Sequence, residues 1–94
     1  VKTKKELPEN FDFEEEIKNG EKKSFLTLHN DDIHTFDYVI ESLIDVCSHD
    51  MFQAEQCAYI VHYKGKCDIK RGNYDRLLPL KIKLIDKGLL ATIE

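Results

Sequence analysis

Apolar residues follow two different rhythms along this chain, and the switches between them mark out six elements. In the run Ser24 to His29, Leu26 and Leu28 stand two residues apart, the period of a strand with one face turned inward. From Phe36 the period changes. Phe36, Val39, Ile40, Leu43, Ile44 and Cys47 recur at three- and four-residue steps, a single stripe on a helix. Thr35 is the expected N-cap, and Asp37 suits the positive first turn. Ser48-His49-Asp50 then breaks the pattern. Asp50 with Gln53 has the form of a capping box for a second helix, whose inward stripe is Ala54, Cys57, Ala58 and Val61. Gly65 stands where a C′ glycine ends such a helix. Cys67 to Arg71 reads as a strand with Cys67 and Ile69 inward, and Gly72-Asn73 as a turn. Leu77 to Ile85 is helical in period and either begins or bends at Pro79. Gly88 stops it before a closing strand over Leu89 to Ile93. The order strand, helix, helix, strand, helix, strand predicts an α+β domain, a small three-stranded antiparallel sheet packed with three helices.

The first 23 residues stand apart from that pattern. Leu7, Phe11, Phe13 and Ile17 are their only large apolar residues after Val1, interrupted by Pro8 and the run Glu14-Glu15-Glu16. Burying so little apolar surface does not offset the entropy of ordering the segment, so residues 1–23 are expected to be a flexible tail on a folded domain of residues 24–94. Across the chain 18 acidic residues face 14 Lys and Arg, a weak negative excess that argues against nucleic acid or an anionic membrane as partner. No apolar run approaches the ~18 residues of a membrane span. Cys47, Cys57 and Cys67 are an odd number with no Cys-x-x-Cys pair, which suits small core residues in a reducing, cytoplasmic setting.

Candidate chemistry gathers at two places. Asn30-Asp31-Asp32 lies between the first strand and the first helix, and its residue types favour a turn. The second helix ends in Val61-His62-Tyr63. If His62 lies beside that turn, an amide oxygen, a carboxylate and an imidazole nitrogen meet at the rim of an apolar surface. Three acceptors beside an oily wall suit a cation with three N–H donors on a hydrophobic body. A free N-terminal α-ammonium followed by a large apolar side chain is such a guest. Asp31 is read as serving the turn alone. A metal site could recruit His29, His34, His49 and His62 with Asp31 or Asp32, but no His-x-x-x-His or paired-Cys spacing supports it. Neither does the Asp–His pair have a Ser or Cys nucleophile in motif context, and there is no phosphate loop. No enzyme activity, metal or cofactor is expected.

Leu28-His29-Asn30-Asp31-Asp32, a helix opening at Phe36-Asp37-Tyr38-Val39, and Val61-His62-Tyr63-Lys64-Gly65-Lys66 together resemble the ClpS family. Its members are adaptors that deliver N-end-rule substrates to Clp ATP-dependent proteases. The likeness runs from about Phe25 to Ile93, and it implies a fold like that of the C-terminal domain of the bacterial ribosomal stalk protein. It also implies that Asn30, Asp32 and His62 hold the substrate's α-amino group. Leu28, Phe36, Val39, Ala58, Val61 and Leu89 would line a pocket for an N-terminal Leu, Phe, Tyr or Trp. The implied partners are the N-terminal peptides of substrates and the N-terminal domain of a ClpA- or ClpC-type unfoldase, docking near Asp75. The sequence departs from the family at His34, usually Thr, at Thr35-Phe36, usually Pro-Met, and at Ala58, often Met. A small residue at Ala58 should widen the pocket. A plain protein-interaction domain of stalk-like fold, with no amine-binding pocket, is the alternative.

Overall fold

A computed structural model describes residues 23–94, and the expected tail lies, but for Lys23, outside the described residues. The elements are β1 (Ser24–His29), α1 (Phe36–Cys47), α2 (Met51–Lys64), β2 (Lys66–Gly72), α3 (Tyr74–Asp86) and β3 (Leu90–Ile93), so the order read from the sequence is the order observed. The strands form one antiparallel sheet in the order β2-β1-β3, with the first strand in the middle. Leu26 and Leu28 are buried, and with Leu43, Val61, Ile69, Leu77 and Leu84 they belong to a single hydrophobic core. Thr27 is buried as well. It is paired with Asp68 on one side and Thr92 on the other, and its hydroxyl donates to Asp68 Oδ1 at 2.9 Å.

Each helix starts where a side chain can accept from its first turn. Thr35 Oγ1 accepts from Tyr38 N (3.1 Å) to open α1, and Asp50 Oδ1 accepts from Gln53 N (2.7 Å) to open α2. Gly65, at φ +92°, ends α2 in the left-handed region where any other residue is strained. The third helix begins earlier than its periodicity suggests. Asn73 Oδ1 accepts from Arg76 N at 3.0 Å, so Asn73 is an N-cap rather than half of a turn, and Pro79 falls inside the helix. Proline there removes one backbone bond, and the buried Leu77 and Leu84 on either side hold the helix against the core regardless. Leu89 precedes β3, because its N–H donates to Leu84 O (3.0 Å) and finishes α3.

Two side chains tie the α1–α2 turn to β2. Lys70 Nζ donates to Cys47 O (3.0 Å), and the buried His49 ring donates from Nε2 to Ile69 O (2.9 Å). Among the described residues no helix is long and apolar enough to cross a membrane.

Candidate functional site

The polar turn and the end of α2 are brought together by the β1–β2 ladder. Pairing runs as far as His29 opposite Lys66, and one further backbone bond joins Asn30 N to Gly65 O at 2.9 Å. That bond pins the turn to the residue three places after His62, so two segments some thirty residues apart share one edge. Between them is a cavity of about 480 Å³, inside the range of roughly 300–1,000 Å³ usual for small-ligand sites. Asn30, Asp31, Asp32, His34, Thr35, Phe36, Val39, Ala58, Val61 and His62 line it. Leu28 and Leu89, both implied as wall residues, are not among these. They are 1% and 2% exposed within the core, Leu28 in the central strand and Leu89 behind the end of α3.

The three carboxamide and carboxylate residues of the turn divide their work. Asp31 Oδ1 accepts from the backbone N–H groups of Ile33 and His34, both at 2.8 Å, and the His34 ring holds both carboxylate oxygens from Nδ1 at 3.1 Å. Burial works against charge on Asp31, but the two backbone donors and the ring outweigh it and hold the carboxyl below its ordinary range. Asp31 therefore folds the turn. The side chains of Asn30, Asp32 and His62, by contrast, make no hydrogen bond to any described residue. Their acceptors are uncommitted beside the cavity.

In the sequence His34 was a departure from the family and a member of the unsupported metal-site reading, and Thr35 a cap and a departure; both line the cavity. The His34 ring stacks on Tyr38 with centroids 4.8 Å apart, while the Tyr38 hydroxyl donates to Lys87 O at 2.6 Å. A Cβ added to Gly88 would come within 3.2 Å of His34 Nε2, and Gly88 has φ +86°. The turn after α3 thus backs the polar loop from behind, and glycine is what leaves the imidazole room.

The apolar wall comes from Phe36 and Val39 of α1 and from Ala58 and Val61 of α2. Phe36 sits at the lip, its ring 5.2 Å from those of both Tyr59 and His62. Asp75 is exposed in the first turn of α3, away from the lining residues. The thiols offer no nucleophile. Burial above all pushes Cys47 up to about 11 and Cys67 up to about 12, and it raises Cys57 too, so all three stay protonated at neutral pH. Nor are three His, Cys, Asp or Glu side chains grouped as a metal would need, among the described residues.

Fold and cavity define a small α+β domain with a recess walled by apolar groups and rimmed by hydrogen-bond acceptors. The family model for the ATP-dependent Clp protease adaptor protein ClpS matches residues 20–91, and the chain belongs to that family. It is an adaptor of the Clp protease, from a family of adaptors rather than catalysts. No curated protein matches the chain.

Proposed function

We propose that the cavity captures the N-terminus of a protein that begins with a large hydrophobic residue, and that the adaptor passes this protein to a Clp unfoldase. A peptide α-amino group titrates near 7.7–8.0, so at neutral pH it is mostly an ammonium with three donors. Removing it from water is costly unless each donor finds an acceptor. Asn30 offers a carbonyl oxygen, Asp32 a charged one and His62 a ring nitrogen. Behind them, burying a Leu or Phe side chain against Phe36, Val39, Ala58 and Val61 contributes roughly 1.5–3 kcal/mol, which separates large first residues from Gly, Ala or Ser. The amine requirement separates a chain start from the same residue in mid-chain. Asp75, charged and exposed at the head of α3, is the proposed contact for the N-terminal domain of a ClpA- or ClpC-type unfoldase, in a cytoplasm that keeps the three cysteines free.

What carries this reading is that three uncommitted acceptors and an apolar wall share one cavity of suitable size. The test is direct. A fluorescent peptide beginning with free Leu should bind, and its N-acetylated copy, which lacks both the charge and two donors, should bind at least about a hundredfold more weakly. Equal binding of the two peptides overturns the proposal.

A further inference from the structure

We propose that Tyr59 and Tyr63 form a second recognition surface, a ledge of aromatic rings that selects the residues immediately after the first one of the bound chain. The inference rests on the cavity being an N-terminus site. It starts from an oddity of α2. The helix turns Ala54 and Ala58 toward the core and leaves its large rings outside, with Tyr59 51% exposed and Tyr63 75%. Those rings are not scattered. Tyr59 lies 5.2 Å from Phe36; Tyr63 lies 6.3 Å from Tyr59, nearly parallel to it at 11°, and 4.8 Å from His62 at 79°.

Phe36 and His62 belong both to the cavity lining and to this ring cluster, so the ledge begins where the cavity ends. A chain whose first side chain fills the cavity, with its amine at Asn30, Asp32 and His62, has to leave by the mouth. With His62 5.2 Å from Phe36 and 4.8 Å from Tyr63, the ledge extends no more than about 10 Å from the lip, the reach of at most about three residues of extended chain at about 3.3–3.6 Å each. The occupant is therefore the substrate's own second to fourth residues. Exposed ring faces favour flat, weakly hydrated side chains, either another aromatic ring or an arginine guanidinium, and give a glycine nothing to pack against. A chain leaving instead past His34 and Thr35, which are polar lining residues, would show no such preference.

The experiment compares the full chain's affinity for two free-amine peptides, one beginning Leu-Phe and one Leu-Gly and otherwise identical, with an acetylated copy of each. The readout is the ratio of the two affinities, in which any general weakening of a variant cancels. The wild-type chain should favour Leu-Phe by about three- to tenfold. In the Tyr59→Ala, Tyr63→Ala double variant the ratio should fall below about two. It should persist in Phe52→Ala, which removes a 70% exposed ring from the same helix that makes no ring contact among the described residues. A wild-type ratio near one, or a ratio that survives the double variant, overturns the ledge while leaving the cavity as an N-terminus site. Free and acetylated peptides binding alike would overturn both.

Discussion

The two helices that flank the cavity are built on opposite plans. In α1 the aliphatic side chains point inward, while Phe36 and Tyr38 at its start are each 37% exposed. Leu43, Val46 and Cys47 are buried, and the face toward solvent carries Asp37, Glu41 and Asp45. In α2 the inward residues are small, Ala54, Ala58 and Val61, while Phe52, Tyr59, Ile60 and Tyr63 are exposed. A helix whose bulk is spent on the core holds the fold together. One that keeps its bulk outside has surface left for a partner, and a residue as small as Ala58 on its inner face leaves room for the recess beside α1. The same side of the molecule thus separates stability from recognition, helix by helix.

That division can be broken at its stronger end first. Leu43→Ala removes a fully buried side chain from α1, and the usual cost of about 2–5 kcal/mol should appear as a clear loss in a denaturant melt. Phe52→Ala on the outer face of α2 should stay within about 0.5 kcal/mol. A Phe52 variant as unstable as the Leu43 variant would mean that α2 is structural on both faces. Binding should respond in the opposite places. Asn30→Ala or His62→Ala leaves one donor of the guest unmatched, at about 1–3 kcal/mol, or roughly ten- to hundredfold in affinity; Asp32→Ala should be worse, because a charge pair goes with it. Calorimetry with a Leu-initiated peptide would show this, and normal binding by Asp32→Ala would rule out the proposed amine site.

A subtler change sharpens the comparison. Ala58→Met puts bulk back on the inner face of α2 and narrows the cavity. Peptides beginning with Trp or with β-branched Ile should lose several-fold relative to Leu, and a panel in which the ranking is unmoved would show that Ala58 does not set pocket width. The smallest expected effect is the pH dependence of the polar turn. Because Asp31 is held below its ordinary value in the fold, its contribution to stability is complete above the unfolded value of about 3.9 and is lost as the pH falls through the lower, folded one. Asp31→Asn should flatten that acid limb of a stability-versus-pH curve, and an identical limb in both proteins would place the lost protons elsewhere.

Periodicity was enough for the six elements, since the three helical patterns and three strand runs are local. Where it misjudged a boundary, another residue had the stronger claim. Pro79 drew the expected start of α3 toward itself, yet Asn73 caps the helix six residues earlier, and burial of Leu77 and Leu84 overrides the missing bond. Within the site, the polar trio stood out because its residue types are unusual together at a strand end and a helix end. His34 did not: Asp31 and Tyr38 hold it, but the room for its ring depends on Gly88, fifty-four positions away, and no local pattern announces a contact of that span. Tyr59 and Tyr63 escaped notice for the converse reason: exposed rings on a helix break the expected pattern instead of following it. Leu28 and Leu89 were assigned to the pocket by family likeness, whereas the fold spends both in the core.

The pairing of β1 with the end of β3 has a practical corollary. Phe25 and Glu94 exchange two backbone bonds of 2.8 Å, so residues 23–94 begin and finish at one pole, whereas Asn30 opens the other pole about 20 Å along the sheet. A dye or tether attached after Glu94 therefore hangs from the floor of the molecule and leaves its mouth unobstructed.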